Sequence, residues 1–212
     1  MAFDYKKEYK EYYLPKESLS IIEIPKMNFL AVRGRGNPNT LNGEYQRSIE
    51  LLYAVAYTLK MSYKTPYKIK GFFDYVVPPL EGFWWQEDTL NPMLINKDKL
   101  SFISIIRLPD FINEDDFNWA ISEATKKKKI DFSKVEYFTY DEGLVVQAVH
   151  IGPFDTEGET VKKMDEYALN HGYQTDINNE RFHHEIYLSD FRKVEPSKLK
   201  TIIRHPVKKK ES

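Results

Sequence analysis

The spacing of apolar and polar residues changes period several times along the chain, and each change predicts an element. LSIIEI at Leu19 to Ile24 and NFLAV at Asn28 to Val32 are strand-like runs separated by Pro25. Tyr45, Ile49, Leu52, Ala56 and Leu59 then recur at three- and four-residue intervals, which predicts an amphipathic helix from about Leu41 to Met61. Short β-like runs follow at Phe72 to Val77 and Gly82 to Gln86, joined by Pro78 and Pro79, and another at Leu100 to Leu108. Asn113 to Lys129 opens on acids and closes on KKKK, the charge order a helix dipole favours. Beyond it, Val135 to Tyr140 reads as a strand, Asp141 to Gly143 as a tight turn, and Leu144 to Ile151 as the returning strand. A helix from about Thr156 to His171, stopped by Gly172, precedes strands at Glu185 to Leu188 and Leu199 to Arg204.

Both halves run strand, helix, strand, strand, and NFLAVRGRG before the first helix is in step with LVVQAVHIGP before the second. Each module alone leaves an apolar helix face and a sheet edge uncovered. Pairing them about a pseudo-two-fold axis buries both, which predicts an α+β fold with antiparallel sheets around a central ligand groove. FWWQ of the first module and HHEIY of the second are the expected walls. The predicted divisions are a polar N-terminal arm over 1–18, one domain over 19–207 and a charged tail over 208–212. Within the domain, module one spans about 19–110, a linking helix about 113–129 and module two about 134–207.

In strand alternation His183, Glu185 and Tyr187 share one face, and His184, Ile186 and Leu188 share the other, core-like one. The first face is either the floor of a polar site or the wet side of a sheet. In the second helix Glu157, Val161, Met164 and Ala168 fall on one stripe, so a carboxylate heads a core-facing row. Glu157 is equally a first-turn acid of the kind helix dipoles favour, with Asp155 or Thr156 as cap. If Glu157 and Glu185 both face the groove, desolvation and mutual repulsion raise at least one pKa and create a candidate general base. Phe73, Tyr75, Trp84 and Trp85 are candidate ligand-contacting rings, with Tyr187 and His183 beside Glu185. Adjacent Trp84 and Trp85 point to opposite faces of a strand, so one is left for the groove or for packing under the proline turn.

Composition narrows the rest. Lys plus Arg total 31 against 32 Asp plus Glu, so no basic field suggests nucleic acid, and no helix-turn-helix lies outside the modules. There is no cysteine, which excludes disulfides, thiolate metal sites and a cysteine nucleophile. RGRGNPN lacks the Lys-Ser/Thr of a phosphate-binding loop, and HHE lacks the two-imidazole spacing of a metal-binding helix. The expectation is no cofactor and no metal, with His150 and His183 as hydrogen-bonded or groove-edge groups. No run approaches twenty apolar residues and the first residues lack a signal-peptide core, so a soluble, cytoplasmic protein without membrane contact is expected. With 15 Tyr, 13 Phe and 3 Trp, rings are plentiful enough to line a pocket for a planar or cationic small molecule.

QAVHIGPFDTE at Gln147 to Glu157, KKM at Lys162 to Met164, HGY at His171 to Tyr173, and HHEIYLSD followed by LKTIIRHPV resemble the GyrI-like small-molecule-binding family. AVRGRGNPN and YVVPPLEGFWW in the first half resemble its freestanding branch, so the likeness covers nearly the whole chain. The resemblance implies a duplicated strand-helix-strand-strand fold shared with effector domains of multidrug-sensing regulators. It also implies bulky, flat or cationic ligands and an acid at the position of Glu185. Members of the freestanding branch look like hydrolases that open the cyclopropane ring of DNA-alkylating natural products with water, a detoxification. On that pattern Glu157 and Glu185 handle the water, while Tyr75, Trp84, Trp85 and Tyr187 hold the planar ligand. Asp190-Phe191-Arg192 departs from the family's frequent Asp-Pro-Arg. A non-enzymatic binder with Glu185 as counter-charge and a regulatory, gyrase-inhibitor-like partner are the alternatives.

Overall fold

A computed structural model describes residues 2–15, 19–89, 96–191 and 193–211; Arg192 of the departing turn lies outside them. In chain order the elements are β1 (Phe3–Asp4), α1 (Tyr5–Glu8), α2 (Lys10–Tyr13), β2 (Leu19–Ile24), β3 (Met27–Arg35), α3 (Glu44–Lys60), β4 (Tyr75–Val76), β5 (Leu80–Trp85) and β6 (Ser101–Arg107). They continue with α4 (Glu114–Lys128), β7 (Glu136–Tyr140), β8 (Gly143–Ile151), α5 (Glu157–Asn170), β9 (Tyr173–Thr175), β10 (His183–Tyr187) and β11 (Lys200–Lys209). Among the described residues no helix is long and apolar enough to cross a membrane.

The main sheet runs β2-β8-β11-β10-β5-β6-β3-β7, with β9 pairing β11 from the side. Module two contributes β8-β11-β10 and module one contributes the mirror order β5-β6-β3, so the pseudo-two-fold axis passes between β10 and β5. These two strands pair antiparallel, with Glu185 opposite Gly82 and His183 opposite Trp84. FWWQ and HHEIY are therefore neighbours on one floor, not facing walls.

The expected hairpin through Asp141 to Gly143 is not formed. β7 pairs with β3, and β8 pairs with β2. Two-residue corners at Pro25-Lys26 and Asp141-Glu142 instead carry the chain between opposite edges of the sheet. Flat, the strands that each corner joins, six places apart in the row, would stand about 28 Å apart at the usual strand spacing. Three residue steps reach at most about 11 Å, so the sheet must curl until its edges approach each other. The turn residue Glu142 explains why this corner is held: its side chain is buried and bonded rather than exposed in a hairpin loop.

Curling gives the sheet an outer and an inner face. On the outer face α3 packs through Tyr45, Ile49, Leu52, Val55, Ala56 and Leu59 onto Leu30, Val32, Phe102 and Ile106. Helix α5 packs through Met164 and Ala168 onto Val146, Ala148, Ile203 and Val207. Because each helix lies over the outer strands of its own module, β10 and β5 form the floor between them. Helix α4 packs beside α3, and Asn113 with Asp116 closes its N-terminus in a reciprocal capping box.

The inner face gathers Ile24, Met27, Phe29, Ala31, Phe83, Ile103, Ile105 and Val145 from five strands. Beside them the N-terminal arm buries Tyr5 and Tyr13 against Tyr75, Ile186 and Ile202. Its Lys/Glu/Tyr sequence shows no regular period, so these anchoring tyrosines are not visible as a stripe. His184, expected among apolar neighbours on this face, instead centres a buried polar network. Its Nδ1 bonds Glu142 at 2.9 Å and its Nε2 bonds Glu81 at 3.0 Å. Tyr13 reaches Glu81, and Arg204 reaches Glu142, Gln147 and the Tyr12 carbonyl. Burial disfavours a charged His184, but the two carboxylates outweigh it and push its pKa up to about 9.

Candidate functional site

Alternation on β10 turns His183, Glu185 and Tyr187 to the outer face, opposite to His184 and Ile186. Trp84 on β5 joins them, since its Nε1–H donates to the Tyr187 hydroxyl at 2.9 Å. Gly82, directly opposite Glu185, keeps this floor low. A Cβ there would stand 2.8 Å from the Trp84 Nε1 and 3.2 Å from the Tyr187 hydroxyl, so the indole occupies the space that any other residue would fill.

From α3, Tyr45 reaches the same cluster: its ring lies 5.1 Å from that of Trp84, and its hydroxyl bonds Tyr187. Tyr187 also hydrogen-bonds Glu185. The Tyr187 hydroxyl thus accepts from Trp84 and lies between Tyr45 and Glu185. From α5, Glu157 enters at the first helical residue, with its side chain buried against Glu185. The start of that helix is fixed by His150. Its Nδ1 lies 2.9 Å from the Thr160 hydroxyl and its Nε2 3.0 Å from the Pro153 carbonyl. Gly152, at a φ of 139° that only glycine adopts readily, makes the bend between them.

The electrostatics of the carboxylate pair are asymmetric. Burial, then the charge of Glu185 and a hydrogen bond to it, raise the Glu157 pKa well above the usual carboxylate range. The helix dipole opposes this shift, but the desolvation of an 8% exposed residue outweighs it. Glu157 is therefore a neutral carboxylic acid at pH 7 whose proton bonds Glu185. Its Oε1 is buried without a hydrogen-bond partner. His183 Nε2 bonds Glu185 Oε1 at 3.0 Å from the other side.

Ligand-type atoms of Glu157, His183 and Glu185 all lie within 4.8 Å of one another, a spacing compatible with a metal ion. They are, however, hydrogen-bonded to each other, and one acid keeps its proton; the donor set is that of a proton-handling group. Two rings that the sequence pattern does not single out complete the rim. Phe154, just before α5, sits edge-on 5.8 Å from Tyr187, and Phe191 lies 6.5 Å from both Phe154 and Tyr187. The only sequence hints were the Gly152-Pro153 punctuation before Phe154 and the turn after β10 that holds Phe191.

The fold brings together Glu157, His183, Glu185, Tyr187 and Trp84. It does not bring Tyr75, Phe73 or Trp85 to them. Tyr75 is buried on the inner face against Phe72 and Phe111. Phe73 packs against Phe3 and Phe111, and Trp85 against Phe182 on the inner face. Strand parity explains Trp85, and the break between β4 and β5 at the two prolines explains Tyr75 and Phe73, which belong to the N-terminal arm's packing instead. A separate cleft of about 430 Å³ lies between α3 and the loop after α4, where Glu44 and Asp131 are already bonded to Lys134 and Ser133.

An aromatic-rimmed floor with a buried, neutral Glu157 against Glu185 marks a candidate site on a duplicated α+β scaffold. Residues 103–208 match the GyrI-like small molecule binding domain. The chain belongs to this GyrI-like family. It is similar to a hydrolase from Listeria innocua at 44% identity, covering 97% of this chain and 100% of that one, with a TM-score of 0.88. It is also similar to an uncharacterized conserved protein from the same organism at 45% identity, with the same coverage and a TM-score of 0.90. The EcmrR C-terminal domain shares the fold at 14% identity and a TM-score of 0.53, covering 91% of this chain and 98% of that domain. No curated protein sequence matches the chain.

Proposed function

We propose that this protein binds a bulky planar small molecule between α3 and α5 and hydrolyses it by opening a strained ring, a cyclopropane conjugated to a carbonyl, with water. The observation that carries this reading is the pairing of Glu185 with a neutral Glu157 beside Trp84, Tyr187, Phe154 and Phe191. Flat rings hold a planar ligand, and Glu185 is the base for water. Glu157, Tyr187 and His183 fix its carboxylate by hydrogen bonds and so fix the line of attack. The water oxygen bonds to a ring carbon and the strained carbon–carbon bond breaks. Its electron pair passes through the conjugated system to the carbonyl oxygen, which takes a proton from solvent. One water proton goes to Glu185. The attacked carbon and the carbonyl oxygen lie at opposite ends of such a system, so an acid bonded to Glu185 does not serve both.

The hydrolase name of the Listeria relative agrees with this chemistry. Substrates of this kind alkylate DNA, so the role fitting the reaction is detoxification in the cytoplasm. The test is incubation with a cyclopropane-bearing alkylator and mass spectrometry of the products. Many equivalents of water adduct per protein are expected. Glu185→Gln should abolish turnover, a loss of about 10²-fold or more, while retaining a neutral planar ligand. Stoichiometric binding without adduct would instead make the protein a sequestering binder, with Glu185 as counter-charge.

A further inference from the structure

Opening a cyclopropane with water uses the Glu157 proton only to fix Glu185, yet the floor holds a carboxylic acid and a carboxylate in contact. One oxygen of each and one ring nitrogen of His183 lie within 4.8 Å of one another. Glu157 is 8% exposed, and its Oε1 is buried without a hydrogen-bond partner. Glu185 has other partners: His183 Nε2 lies 3.0 Å from its Oε1, and Tyr187 bonds it as well. These two hold Glu185 in place when the Glu157 hydroxyl turns away from it. Trp84, Phe154 and Phe191 stand around Tyr187 beside the pair, so a flat ligand resting on these rings brings its reactive edge to both carboxyls.

We propose that the same floor hydrolyses epoxides carried on flat aromatic frames to trans-diols, with Glu185 as base and Glu157 as acid. The inference rests on the assignment of Glu185 as the base for water. Epoxides differ from conjugated cyclopropanes in where the electrons of the broken bond go. In an epoxide the leaving oxygen is attached to the attacked carbon itself, so the incoming and departing oxygens are one carbon apart, and a base and an acid in contact reach both.

The step balances inside the pair. The water oxygen bonds to one ring carbon from the side opposite the epoxide oxygen, and a water proton passes to Glu185. The carbon–oxygen bond breaks, its electron pair stays on the oxygen, and the Glu157 proton joins it there. Glu157 is then the charged member and Glu185 the neutral one. The proton on Glu185 returns to Glu157 across their contact, because Glu157 is the more deeply buried carboxyl and Glu185 has His183 and Tyr187 to hold its charge. The net change is epoxide plus water to diol, with no proton exchanged with solvent, so the cycle runs with a ligand covering the floor. Tyr187 is the other hydroxyl beside the reacting atoms, but burial raises its pKa and makes it the weaker acid.

The probe is phenanthrene bearing an epoxide across its central bond, incubated with the protein in isotopically labelled water. Its two epoxide carbons are mirror-related, so uncatalysed opening by water gives racemic diol, whereas attack directed by a fixed Glu185 gives one enantiomer in excess with one labelled oxygen. Many equivalents of that diol per protein are expected, and racemic diol at the buffer rate overturns the inference. Glu157→Gln keeps the shape of the neutral acid and should lower epoxide turnover by at least about a hundredfold. The corresponding N-methylaziridine, assayed where its nitrogen is protonated before it binds, brings its own proton, so the same substitution should slow its opening by less than about tenfold. Unchanged epoxide turnover in the variant, or equal losses on the two substrates, would overturn the acid role of Glu157 and the inference with it. A cyclopropane-bearing alkylator run in parallel separates the two activities. Water adduct without diol overturns the inference alone, diol without adduct removes the cyclopropane reading and leaves the epoxide one standing, and neither product removes both.

Discussion

Replacing Glu157 by glutamine should make the protein more stable at neutral pH, although the residue is buried and hydrogen-bonded. In the folded protein Glu157 keeps its proton past neutrality, whereas unfolded it loses it near 4.5. Above pH 4.5 the folded state therefore binds more protons than the unfolded one. The stabilisation is fully present below that value and is lost as pH rises, by about 1.4 kcal/mol per unit. From 4.5 to 7 the loss is at most about 3 kcal/mol. Glutamine has the shape of the neutral acid and an N–H for Glu185, but no proton to lose. Urea denaturation of both proteins at half-unit intervals from pH 4.5 to 8 measures the effect. The variant's advantage should be near zero at pH 4.5 and climb to between about 1 and 3 kcal/mol at pH 7. Taking the difference cancels titrations common to both. Glu185→Gln provides a control, because removing the neighbouring charge lets Glu157 ionise more easily and shrinks the wild-type slope. A difference independent of pH, or a variant less stable at pH 7, would refute a neutral Glu157.

On the inner face the sign is the same but the window differs. His184, with its pKa raised from 6.5 to about 9, contributes stability that is complete below pH 6.5 and lost as pH rises through 9, on the order of 3 kcal/mol. Measured in the Glu157→Gln background, unfolding free energy should fall over that range, and His184→Gln should remove the fall; a flat profile before that change would count against the charged imidazole. Gly82→Ala should destabilise by about 1–3 kcal/mol, because its Cβ meets the Trp84 Nε1 at 2.8 Å. Thermal melts and tryptophan fluorescence report it, and a variant with both unchanged would show that the floor has room to spare.

Periodic elements were legible from the sequence because their signal is local. The α3 stripe and the Glu157 stripe each need only one helix, and both helices lie within a residue or three of the predicted bounds. Pairing was less legible because it depends on contacts far apart in the chain. Asp141-Glu142-Gly143 carries the composition of a hairpin turn, yet Glu142 is committed to His184 and Arg204, and β7 crosses to β3. Parity placed Glu185 and Tyr187 together, but the prolines between Val77 and Leu80 separate Tyr75 from the strand of Trp84.

The duplicated frame also accounts for the site's asymmetry. Tyr45, Ile49, Leu52 and Ala56 on α3 have the same spacing as Glu157, Val161, Met164 and Ala168 on α5, so Tyr45 and Glu157 head equivalent stripes. Both enter the floor from the first turn of their helix, one from each side. On the floor itself, β5 offers Gly82 and Trp84 where β10 offers Glu185 and Tyr187. Module one thus supplies rings and space, and module two supplies the carboxyl pair and the histidines. A symmetric site with an acid on both helices would gather four carboxyl groups around one axis and repel itself strongly in a dry groove. With Tyr45 and Gly82 in place of one set, a single carboxyl pair remains, hydrogen-bonded by its neighbours, with the Trp84 ring beside it. The divergence of the two halves, more than the fold they share, gives the floor its one carboxyl pair.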